Sequence, residues 1–430
     1  MNPRKAVKAV IPKKLFRKIE PTGHLAEAAL LNGVKGGSPA KGMKVIGVTG
    51  TNGKTSTCFL IHRMLHEAGY KVGLMTTVGY GAGNNIKPQV DHMTNVPVPK
   101  LIKRLEELRQ QGVEWLVMET TSHALVQHRD FGIKYSLAVL TNISHEHLDY
   151  HGTMERYIAA KRKLFEKTNK NKNGLQTGVV NADDATAATF TSAVKTPLTY
   201  GIKNGDLRAK DIKLSAAGVS YTATIEGETY DIKCRLPGKF NVYNSLAAAS
   251  VGRALGLDKK QIEQGIAALE GVSGRMTAIN AGQNFNVIVD FAHSPDALEN
   301  VLKACKELTK GKVLLVFGAT GDRYKSKRPV MGEVAAKNAD QIFLTDDETY
   351  TENPKAIIDA VYKGIQDAGG GSKTSVVDER LAAIKAAFTA AKSGDTVLLT
   401  GIGHETTRNM GGKEVAWNEI QIATKLLAQA

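Results

Sequence analysis

A glycine-rich segment near the start of the chain combines residue types that bind nucleoside triphosphates. VIGVTGTNGKTST places an apolar, β-branched run directly before a glycine-rich turn that ends in Lys54 and Thr55. A strand, such a turn and a helix N-terminus together present backbone N–H groups to phosphate. Lys54 would then reach the β and γ phosphates, and the Thr55 hydroxyl would bind magnesium.

The spacing of this loop departs from the strict phosphate-loop pattern. Val48 stands where that pattern has its first glycine, and the glycines are instead Gly47, Gly50 and Gly53. A glycine-rich turn with an incidental lysine is the alternative, but strand, turn and helix signals occur in the expected order. We therefore predict nucleotide binding, which by itself does not separate a ligase from a kinase, a helicase or a GTPase.

A histidine-rich run, TNISHEHLDYHG, contains the residue type that most often binds zinc. Its histidines are His145, His147 and His151. HEHLD begins like the HExxH signature of zinc proteases, but Asp149 stands where the second histidine belongs, and HETTR later in the chain has Arg408 there. Three widely separated cysteines without a CxxC pair indicate neither a zinc site nor a disulfide framework, and fit a reducing compartment.

Composition narrows the class of protein further. A net charge of +15 over 430 residues favours anionic partners, but aromatic residues are only 6% and no nucleic-acid motif occurs, so we expect no nucleic-acid partner. No apolar run approaches the roughly 18 residues of a membrane-spanning helix. We expect a cytoplasmic monomer without a membrane segment. The first 20 residues carry seven basic side chains and one acid, as a phosphate-binding arm or a solvated start would.

The elements that must hold these residues follow an α/β pattern. Apolar runs alternate with amphipathic segments, which predicts parallel sheets. The first set of strands is VIGVTG, WLVMET, LAVLTNIS and TGVVNADD, and a meander from about Ala209 to Leu236 indicates inserted antiparallel strands. FNVIVDFA, KVLLVFGATGD, QIFLTDD and DTVLLTG form a second set. We predict a reduced N-terminal segment 1–42, a central P-loop ATPase domain 43–274 and a Rossmann-like C-terminal domain 275–430.

Several motifs, in order along the chain, resemble the Mur ligases and the related folylpolyglutamate synthases. GTNGKT, ETTSHALVQHR, TNISHEHLDYHGTMERYIAAK and LPGKFNVYNSLAA resemble the central domain of that family. GVSGRM, DFAHSPDAL, GATGDRYKSKRPVM and GIGHE resemble its C-terminal domain. The similarity covers roughly residues 44–410. LVQHR and DYHG are most similar to the MurE branch, which adds the third residue of the peptidoglycan stem peptide.

This resemblance implies an ATP-dependent, ADP-forming ligase acting on UDP-MurNAc-L-Ala-D-Glu and a free amino acid. The γ-phosphate passes to a substrate carboxylate, and an amino group then attacks the acyl phosphate. Because several anionic groups converge, cations must stand where charge develops, and two magnesium ions are implied. The implied ATP contacts are Gly50, Thr51, Asn52, Gly53, Lys54, Thr55, Ser56, Asn241, Asn244, Arg275, Asp290 and His293. For Asn244 a helix cap is a rival role.

The same resemblance implies a catalytic set and its metal ligands. The catalytic set is Lys54, Glu119, His147 and Lys161. Thr55 and Glu119 would hold the ion that bridges the β and γ phosphates, and His147 would help to bind the second. Lys161 resembles the lysine that the family carbamylates, since a carbamate supplies anionic oxygen to a metal. A solvated helix lysine is the alternative for Lys161.

Substrate contacts are implied on two sides of the site. On the acceptor side they are Thr94, Thr121, Ser122, His123, Gln127 and Arg129. On the amino-acid side they are Arg323, Asp347, Tyr350, Gly401 and Glu405. The DNPR run of enzymes that add diaminopimelate aligns with residues 347–350, where Tyr350 replaces the arginine. Lysine becomes possible, because Tyr350 supplies only a hydroxyl and Glu405 suits a distal ammonium, unless Arg323 or Arg380 compensates.

The N-terminus is the second departure from the family. Only about 40 residues precede the phosphate loop, whereas the usual uridine-nucleotide domain of MurE is roughly twice as long. The basic segment would bind UDP, or the acceptor lacks UDP. The sequence as a whole leaves three alternatives to the MurE reaction. They are a folylpolyglutamate- or cyanophycin-type ligase, a nucleic-acid-dependent P-loop ATPase, and a binding protein without catalysis. ETTSH and VQHR favour the MurE reaction.

Overall fold

Two sheets, each with a parallel centre, organise the chain. The computed structural model describes residues 21–23, 25–27, 29–30, 38, 40–89, 91 and 93–429. The described residues between 21 and 30 are helical, while most of the predicted segment 1–42 lies outside the described residues. Within the ranges given, no helix has both the length and the apolar character that crossing a membrane requires.

The first sheet has eleven strands in the order β11-β10-β9-β8-β7-β6-β1-β5-β2-β3-β4. They are β1 Lys44–Thr49, β2 Val72–Met75, β3 Gly79–Ala82, β4 Asn85–Pro88, β5 Trp115–Glu119, β6 Tyr135–Leu140, β7 Thr177–Asn181, β8 Thr196–Gly201, β9 Leu207–Ser215, β10 Gly218–Ile225 and β11 Glu228–Cys234. β1 lies between β5 and β6 and is parallel to both. The predicted antiparallel meander is β9–β11. A second antiparallel edge, β3–β4, was not predicted.

Helices cover both faces of this sheet. They are α1 Lys54–Glu67, α2 Val98–Gln110, α3 Ser122–Val126, α4 Leu148–His151, α5 Met154–Lys170, α6 Ala187–Thr191, α7 Phe240–Ala254 and α8 Lys259–Ala267. Apolar side chains of α1, α7 and α8 pack with Ile46 and Val48 on one face, and those of α2 and α5 pack with Val45 on the other. Because β1 is apolar on both sides, it is suited to the centre of a covered parallel sheet.

The second sheet has six strands in the order β12-β13-β17-β14-β15-β16. They are β12 Thr277–Ile279, β13 Asn286–Asp290, β14 Val313–Phe317, β15 Gln341–Leu344, β16 Thr374–Val376 and β17 Thr396–Thr400; a separate hairpin follows, β18 Thr407–Met410 and β19 Lys413–Ala416. The helices are α9 Pro295–Leu308, α10 Lys327–Asn338, α11 Pro354–Asp367, α12 Arg380–Ala390 and α13 Glu419–Leu427. The predicted α/β class with two sheets is confirmed.

Helices α10 and α11 cross at very short range. A Cβ atom added to Gly332 would lie 2.2 Å from the Val361 carbonyl oxygen, and one added to Gly364 would lie 2.0 Å from that of Pro329. Glycine is therefore required on both helices for their backbones to approach this closely. The crossing fixes the loops that precede the two helices, residues 318–326 and 345–353.

Candidate active site

The turn between β1 and α1 has the backbone that a phosphate loop needs. Gly50 and Gly53 have φ angles of 150° and 80°. A Cβ at Gly50 would lie 1.9 Å from Thr141 Oγ1, and one at Gly53 would lie 2.3 Å from Asn244 Oδ1. Both glycines are therefore required by contact as well as by conformation. The Gly53 conformation ends the turn and lets α1 begin at Lys54.

A buried carboxylate faces this loop from the neighbouring strand. Glu119, at the end of β5, is 2% exposed. Its Oε2 accepts hydrogen bonds from Thr55 Oγ1 at 3.0 Å, from Thr77 N at 2.9 Å and from Thr77 Oγ1 at 3.0 Å. Lys54 Nζ lies 4.0 Å from Glu119 Oε1 and donates to the Thr51 carbonyl at 2.8 Å. The structure thus brings Lys54, Thr55 and Glu119 together, and adds Thr77.

Lys161 approaches the same loop from α5. It is 2% exposed, and its Nζ donates to the Gly50 carbonyl at 2.6 Å and lies 4.6 Å from the ring centre of Tyr157. The solvated-lysine alternative is therefore wrong. Burial holds the pKa of Lys161 well below its ordinary value, and the charge of Lys54 lowers it further. Tyr157 also connects helix to loop, since its hydroxyl lies 3.1 Å from Thr51 Oγ1.

Three histidines pack beside this lysine. His147 has φ 58° at the start of α4, and the centres of its ring and that of His123 are 4.8 Å apart. His151 Nε2 lies 3.0 Å from Ser122 Oγ. Burial lowers the pKa of His123 to about 3 and that of His151 to about 4, so both rings are neutral at pH 7. Within the part of the chain that the structure describes, no three His, Cys, Asp or Glu side chains form a metal-binding group.

The predicted acceptor residues surround Glu119 through a shared hydrogen-bond network. Asn95, which the sequence analysis did not identify, is its centre: Oδ1 accepts from Thr121 Oγ1 at 2.9 Å, and Nδ2 donates to the Glu119 carbonyl at 2.8 Å. Arg129 donates to the Asn95 carbonyl. Thr94 Oγ1 lies 2.8 Å from Thr77 Oγ1. Ser122, Gln127 and Arg129 are buried. The network leads from the acceptor side directly to the carboxylate.

The two asparagines of α7 lie on the other side of the phosphate loop. Asn244 Oδ1 accepts from Thr57 Oγ1 at 3.3 Å, and its Nδ2 donates to Asn241 Oδ1 at 2.8 Å. Asn241 Nδ2 donates to the Pro237 carbonyl at 2.7 Å. Asn244 is the fifth residue of α7, so the helix-cap alternative is wrong. Asn244 therefore holds α7 against α1 at the loop, and Asn241 supports the Asn244 amide.

Side chains of the second sheet reach across to the phosphate loop. Arg275 donates to Thr55 Oγ1 at 3.2 Å. Asp296, at the start of α9, accepts from Ser144 Oγ at 3.1 Å and from the Asn52 side-chain amide. Asp296 was not predicted, because its motif gave no reason to place it on Asn52, 244 residues earlier. These contacts close the second sheet over the loop.

Further contacts near Arg275 involve Lys327 and the predicted residues His293 and Asp290. Lys327 Nζ donates to the His293 carbonyl at 2.9 Å and lies 3.8 Å from Glu146 Oε1. Burial lowers the pKa of His293 to about 3, and the Lys327 charge acts in the same direction. Asp290 accepts from the backbone N–H groups of Met276 and Ala292 at 2.8 Å. Asp290 therefore shapes the loop that carries Arg275.

The residues predicted to bind the amino acid lie in loops at the carboxyl ends of the parallel strands of the second sheet. Arg323 donates to the Tyr350 hydroxyl at 3.2 Å, and a Cβ at Gly401 would lie 2.1 Å from Asp347 Oδ2. Glu405 is close enough to act on the titration of Tyr350. Ligands of open α/β sheets bind at this edge. Arg380, by contrast, is fully buried against Glu419 and is not available to a substrate.

Comparison with known proteins agrees with this geometry. The Mur ligase middle domain model matches residues 48–252, and the Mur ligase glutamate ligase domain model matches residues 274–403. The UDP-N-acetylmuramoyl-L-alanyl-D-glutamate--2,6-diaminopimelate ligase of Bacillus velezensis is 40% identical over 91% of this chain and 80% of its own. The ligase of the same name from Caldanaerobacter subterraneus is 38% identical with the same coverage.

Solved structures show the same fold. A structure named as a UDP-N-acetylmuramoyl-L-alanyl-D-glutamate 2,6-diaminopimelate ligase has a TM-score of 0.62 and 32% identity, over 90% of this chain and 79% of its own. The folylpolyglutamate synthase of Mycobacterium tuberculosis has a TM-score of 0.70 at 18% identity, over 88% of this chain and 92% of its own. The second likeness concerns the fold alone.

Proposed function

Since the chain belongs to the Mur ligase family, we propose that it adds the third amino acid to UDP-MurNAc-L-Ala-D-Glu in the cytoplasm, as a step of peptidoglycan precursor synthesis. Members of this family are ATP-dependent, ADP-forming ligases that use magnesium. The observation that carries the proposal is the contact of Thr55 with both Glu119 and Arg275. It joins a phosphate loop, a buried carboxylate and a cation from the second sheet at one point.

The residues at this point fit a magnesium ion. Thr55 Oγ1 and Glu119 Oε2 are hard oxygen donors 3.0 Å apart, and oxygen is the ligand that magnesium prefers. When bound, magnesium neutralises phosphate charge and polarises the phosphoryl group. The Thr77 hydroxyl and N–H hold the Glu119 carboxylate in place. A charged ligand fixed by neutral donors keeps its orientation without losing its charge.

Lys161 fits the role of a carbamylated ligand for a second ion beside His147. A carbamate forms when a neutral amine attacks carbon dioxide and loses a proton, so a lowered pKa favours the reaction. Burial beside Tyr157 supplies that condition. The modified side chain would bring anionic oxygen to the loop, where the unmodified Nζ now contacts the Gly50 carbonyl.

The chain's own cations then serve the two chemical steps. Lys54 and Arg275 would neutralise negative charge as the γ-phosphate passes to the acceptor carboxylate, giving ADP and an acyl phosphate. The amino group of the incoming amino acid then attacks the carbonyl carbon of the acyl phosphate, and inorganic phosphate leaves from the tetrahedral intermediate. The contacts of Asp296 and Lys327 with the first sheet close the site, which protects the acyl phosphate from water.

The acceptor and amino-acid sides have separate walls. Thr94 and Arg129 lie in loops of the first sheet, and Ser122 and His123 lie in α3, which follows Glu119. The amino acid would enter from the loops of the second sheet. We also propose that the substrates are a nucleotide-linked muramyl peptide and a free amino acid, and that the enzyme is a monomer. The proposed domains are residues 1–42, 43–274 and 275–430.

The direct test is product formation followed by mass spectrometry. Purified protein, ATP, magnesium and UDP-MurNAc-L-Ala-D-Glu are incubated with single amino acids, and ADP is quantified in parallel. We expect a tripeptide product and one ADP for each peptide bond. The Glu119→Gln variant is the matched control and should form both about 10²–10³-fold more slowly. Amine-dependent ADP release only with a folate or a polyaspartate acceptor would refute the proposal.

A further inference from the structure

Thr77 is the residue at which three parts of the site meet. It lies in the turn between β2 and β3. Its N–H and its hydroxyl both donate to Glu119 Oε2, at 2.9 and 3.0 Å. Because a hydroxyl has only one proton to donate, the contact of 2.8 Å between the Thr77 and Thr94 hydroxyls must be donated by Thr94. Thr77 therefore connects the predicted acceptor side with the buried carboxylate.

The second sheet reaches the same residue through His404. The Nε2 atom of His404 lies 3.2 Å from the Thr77 carbonyl oxygen. Because a carbonyl only accepts, the ring must carry a proton on Nε2 and donate it. His404 is in the loop after β17, between Gly401 and Glu405, which are predicted to bind the amino acid. The loops after β14, β15 and β17 form that predicted amino-acid site, so one of them also supports the turn that holds Glu119.

Two glycines and a phenylalanine fix the direction of His404. A Cβ atom at Gly274 would lie 2.4 Å from His404 N, and one at Gly403 would lie 2.7 Å from Phe291 Cβ. The two glycines have φ angles of 67° and 59°. The ring centres of Phe291 and His404 are 5.1 Å apart. Because the backbones pack this closely, His404 moves together with the loops that carry Gly274 and Phe291.

Phe291 also contacts the cation that approaches the phosphate loop. The guanidinium carbon of Arg275 lies 4.8 Å from the centre of the Phe291 ring, and the guanidinium donates to Thr55 Oγ1 at 3.2 Å. Thr55 Oγ1 in turn donates to Glu119 Oε2. The second sheet thus touches both residues whose hydroxyls donate to that carboxylate, one through Arg275 and the other, Thr77, through the loop after β17.

We infer that His404 is a positioning residue for magnesium binding, because its hydrogen bond to Thr77 keeps the Glu119 carboxylate aimed at the metal while the second sheet is closed over the phosphate loop. A metal-binding carboxylate whose supporting groups shift can turn away from the ion, which weakens binding of the ion. The second sheet then completes the support of a metal ligand as well as covering the site. The inference rests on the proposed function in one respect, the magnesium ion at Thr55 and Glu119.

The test measures the linkage between magnesium and nucleotide binding without turnover. Isothermal titration calorimetry gives the affinity for the nonhydrolysable analogue AMP-PNP at a series of free magnesium concentrations, and the midpoint of that dependence is the readout. His404→Leu removes the donor but keeps a side chain of similar size, and should raise the midpoint about three- to tenfold, the effect of one hydrogen bond. His404→Gln places an N–H donor at similar reach and should restore most of the affinity. An unchanged midpoint in His404→Leu, or a loss that His404→Gln shares in full, would overturn the inference.

Asp296→Ala is the matched control for closure in general. Asp296 also joins the second sheet to the first, but it does so through Ser144 and Asn52 and not through Thr55 or Thr77. Its variant should leave the magnesium midpoint nearly unchanged. A shift as large as that of His404→Leu would show that closure alone sets the magnesium affinity, and would contradict the role of His404.

Thr77 supplies a second check. Thr77→Val removes the hydroxyl that donates to Glu119 and should raise the magnesium midpoint about tenfold, whereas Thr77→Ser keeps the hydroxyl and should stay near wild type. His404→Leu should add less to Thr77→Val than to the wild-type protein, since both act on one carboxylate. Equal effects of His404→Leu in the two backgrounds would refute the connection. A wild-type protein with the expected magnesium linkage but no tripeptide product would remove the proposed acceptor and leave the role of His404 standing.

Discussion

The phosphate loop and the amino-acid site hold their charged groups by different means. At the phosphate loop, backbone conformation and strand adjacency place Lys54, Thr55 and Glu119, and the buried carboxylate is held by neutral donors. At the amino-acid site, buried ion pairs such as Arg380 with Glu419 hold the loops. The phosphate loop therefore depends on backbone geometry and on hydrogen bonds from neutral groups, whereas the loops of the amino-acid site depend on buried ion pairs.

The largest expected effect comes from breaking a buried ion pair at the amino-acid site. Arg380 also donates to the carbonyls of Thr400 at 2.7 Å and Asp346 at 3.4 Å, so it joins two loops. Arg380→Met should lower the free energy of unfolding by about 3–5 kcal/mol, because Glu419 is left buried and unpaired. Chemical denaturation followed by circular dichroism measures this. Lys355→Met, which removes an exposed pair with Asp359, is the control and should change little.

A change at the phosphate loop should have the opposite signature. Glu119→Gln keeps the hydrogen bonds of the side chain but removes the negative charge that a magnesium ion needs. We expect kcat to fall by about 10²–10³-fold while stability is nearly unchanged. Steady-state kinetics across magnesium concentrations, with denaturation as the control, measures both. A Glu119→Gln enzyme with normal kcat would show that the carboxylate does not serve the metal.

Asp296 sharpens the comparison because it connects the two regions. Its carboxylate accepts from Ser144 and Asn52 of the first sheet. Asp296→Ala should lower kcat by about tenfold through poorer closure over the loop. Ser144→Ala removes one of the two contacts and should cost less. A double variant whose loss equals the sum of the single losses on a free-energy scale would show that the two residues do not act together.

The last expected effect is a pH dependence of stability. Burial lowers the pKa of His62 to about 4 and that of His123 to about 3 in the folded state. The unfolded state binds a proton near pH 6.5, so the unfolded state holds more protons below that value and stability falls as the pH falls from about 6.5 towards about 4. Denaturation midpoints at several pH values measure the slope. His62→Gln should flatten it, and an unchanged slope would contradict this assignment.

The sequence predicted the parts of the site that local patterns encode. Lys54 and Thr55 follow from the glycine-rich turn, and Glu119 follows from the resemblance to the Mur ligases. The central parallel strands β1, β5, β6 and β7 of the first sheet and β13, β14, β15 and β17 of the second follow from their apolar runs. Thr77, Asn95 and Asp296 were not predicted, because their partners lie far along the chain and no local pattern requires the contact. The β3–β4 edge was missed because its strands, GYGA and NIKP, contain no apolar, β-branched run.

The ionisation and burial of single side chains also needed the structure. Lys161 stands among basic residues in the sequence, yet the fold buries it against Gly50 and Tyr157. Arg380 was predicted as a possible substrate ligand, but Glu419, 39 residues later, binds it. In both cases the partner is set by the packing of helices on a sheet, which spacing along the chain does not report.

The close crossing of α10 and α11 has a consequence for how the amino-acid site can change. Gly332 and Gly364 lie within these helices, while the loops 318–326 and 345–353 precede them. A methyl group added at either glycine would push the helices apart and carry both loops with them. The contact between α10 and α11, which no substrate touches, therefore partly governs the substrate range. Selection for a new amino acid would act first on exposed loop positions such as Arg323 and leave the two glycines unaltered.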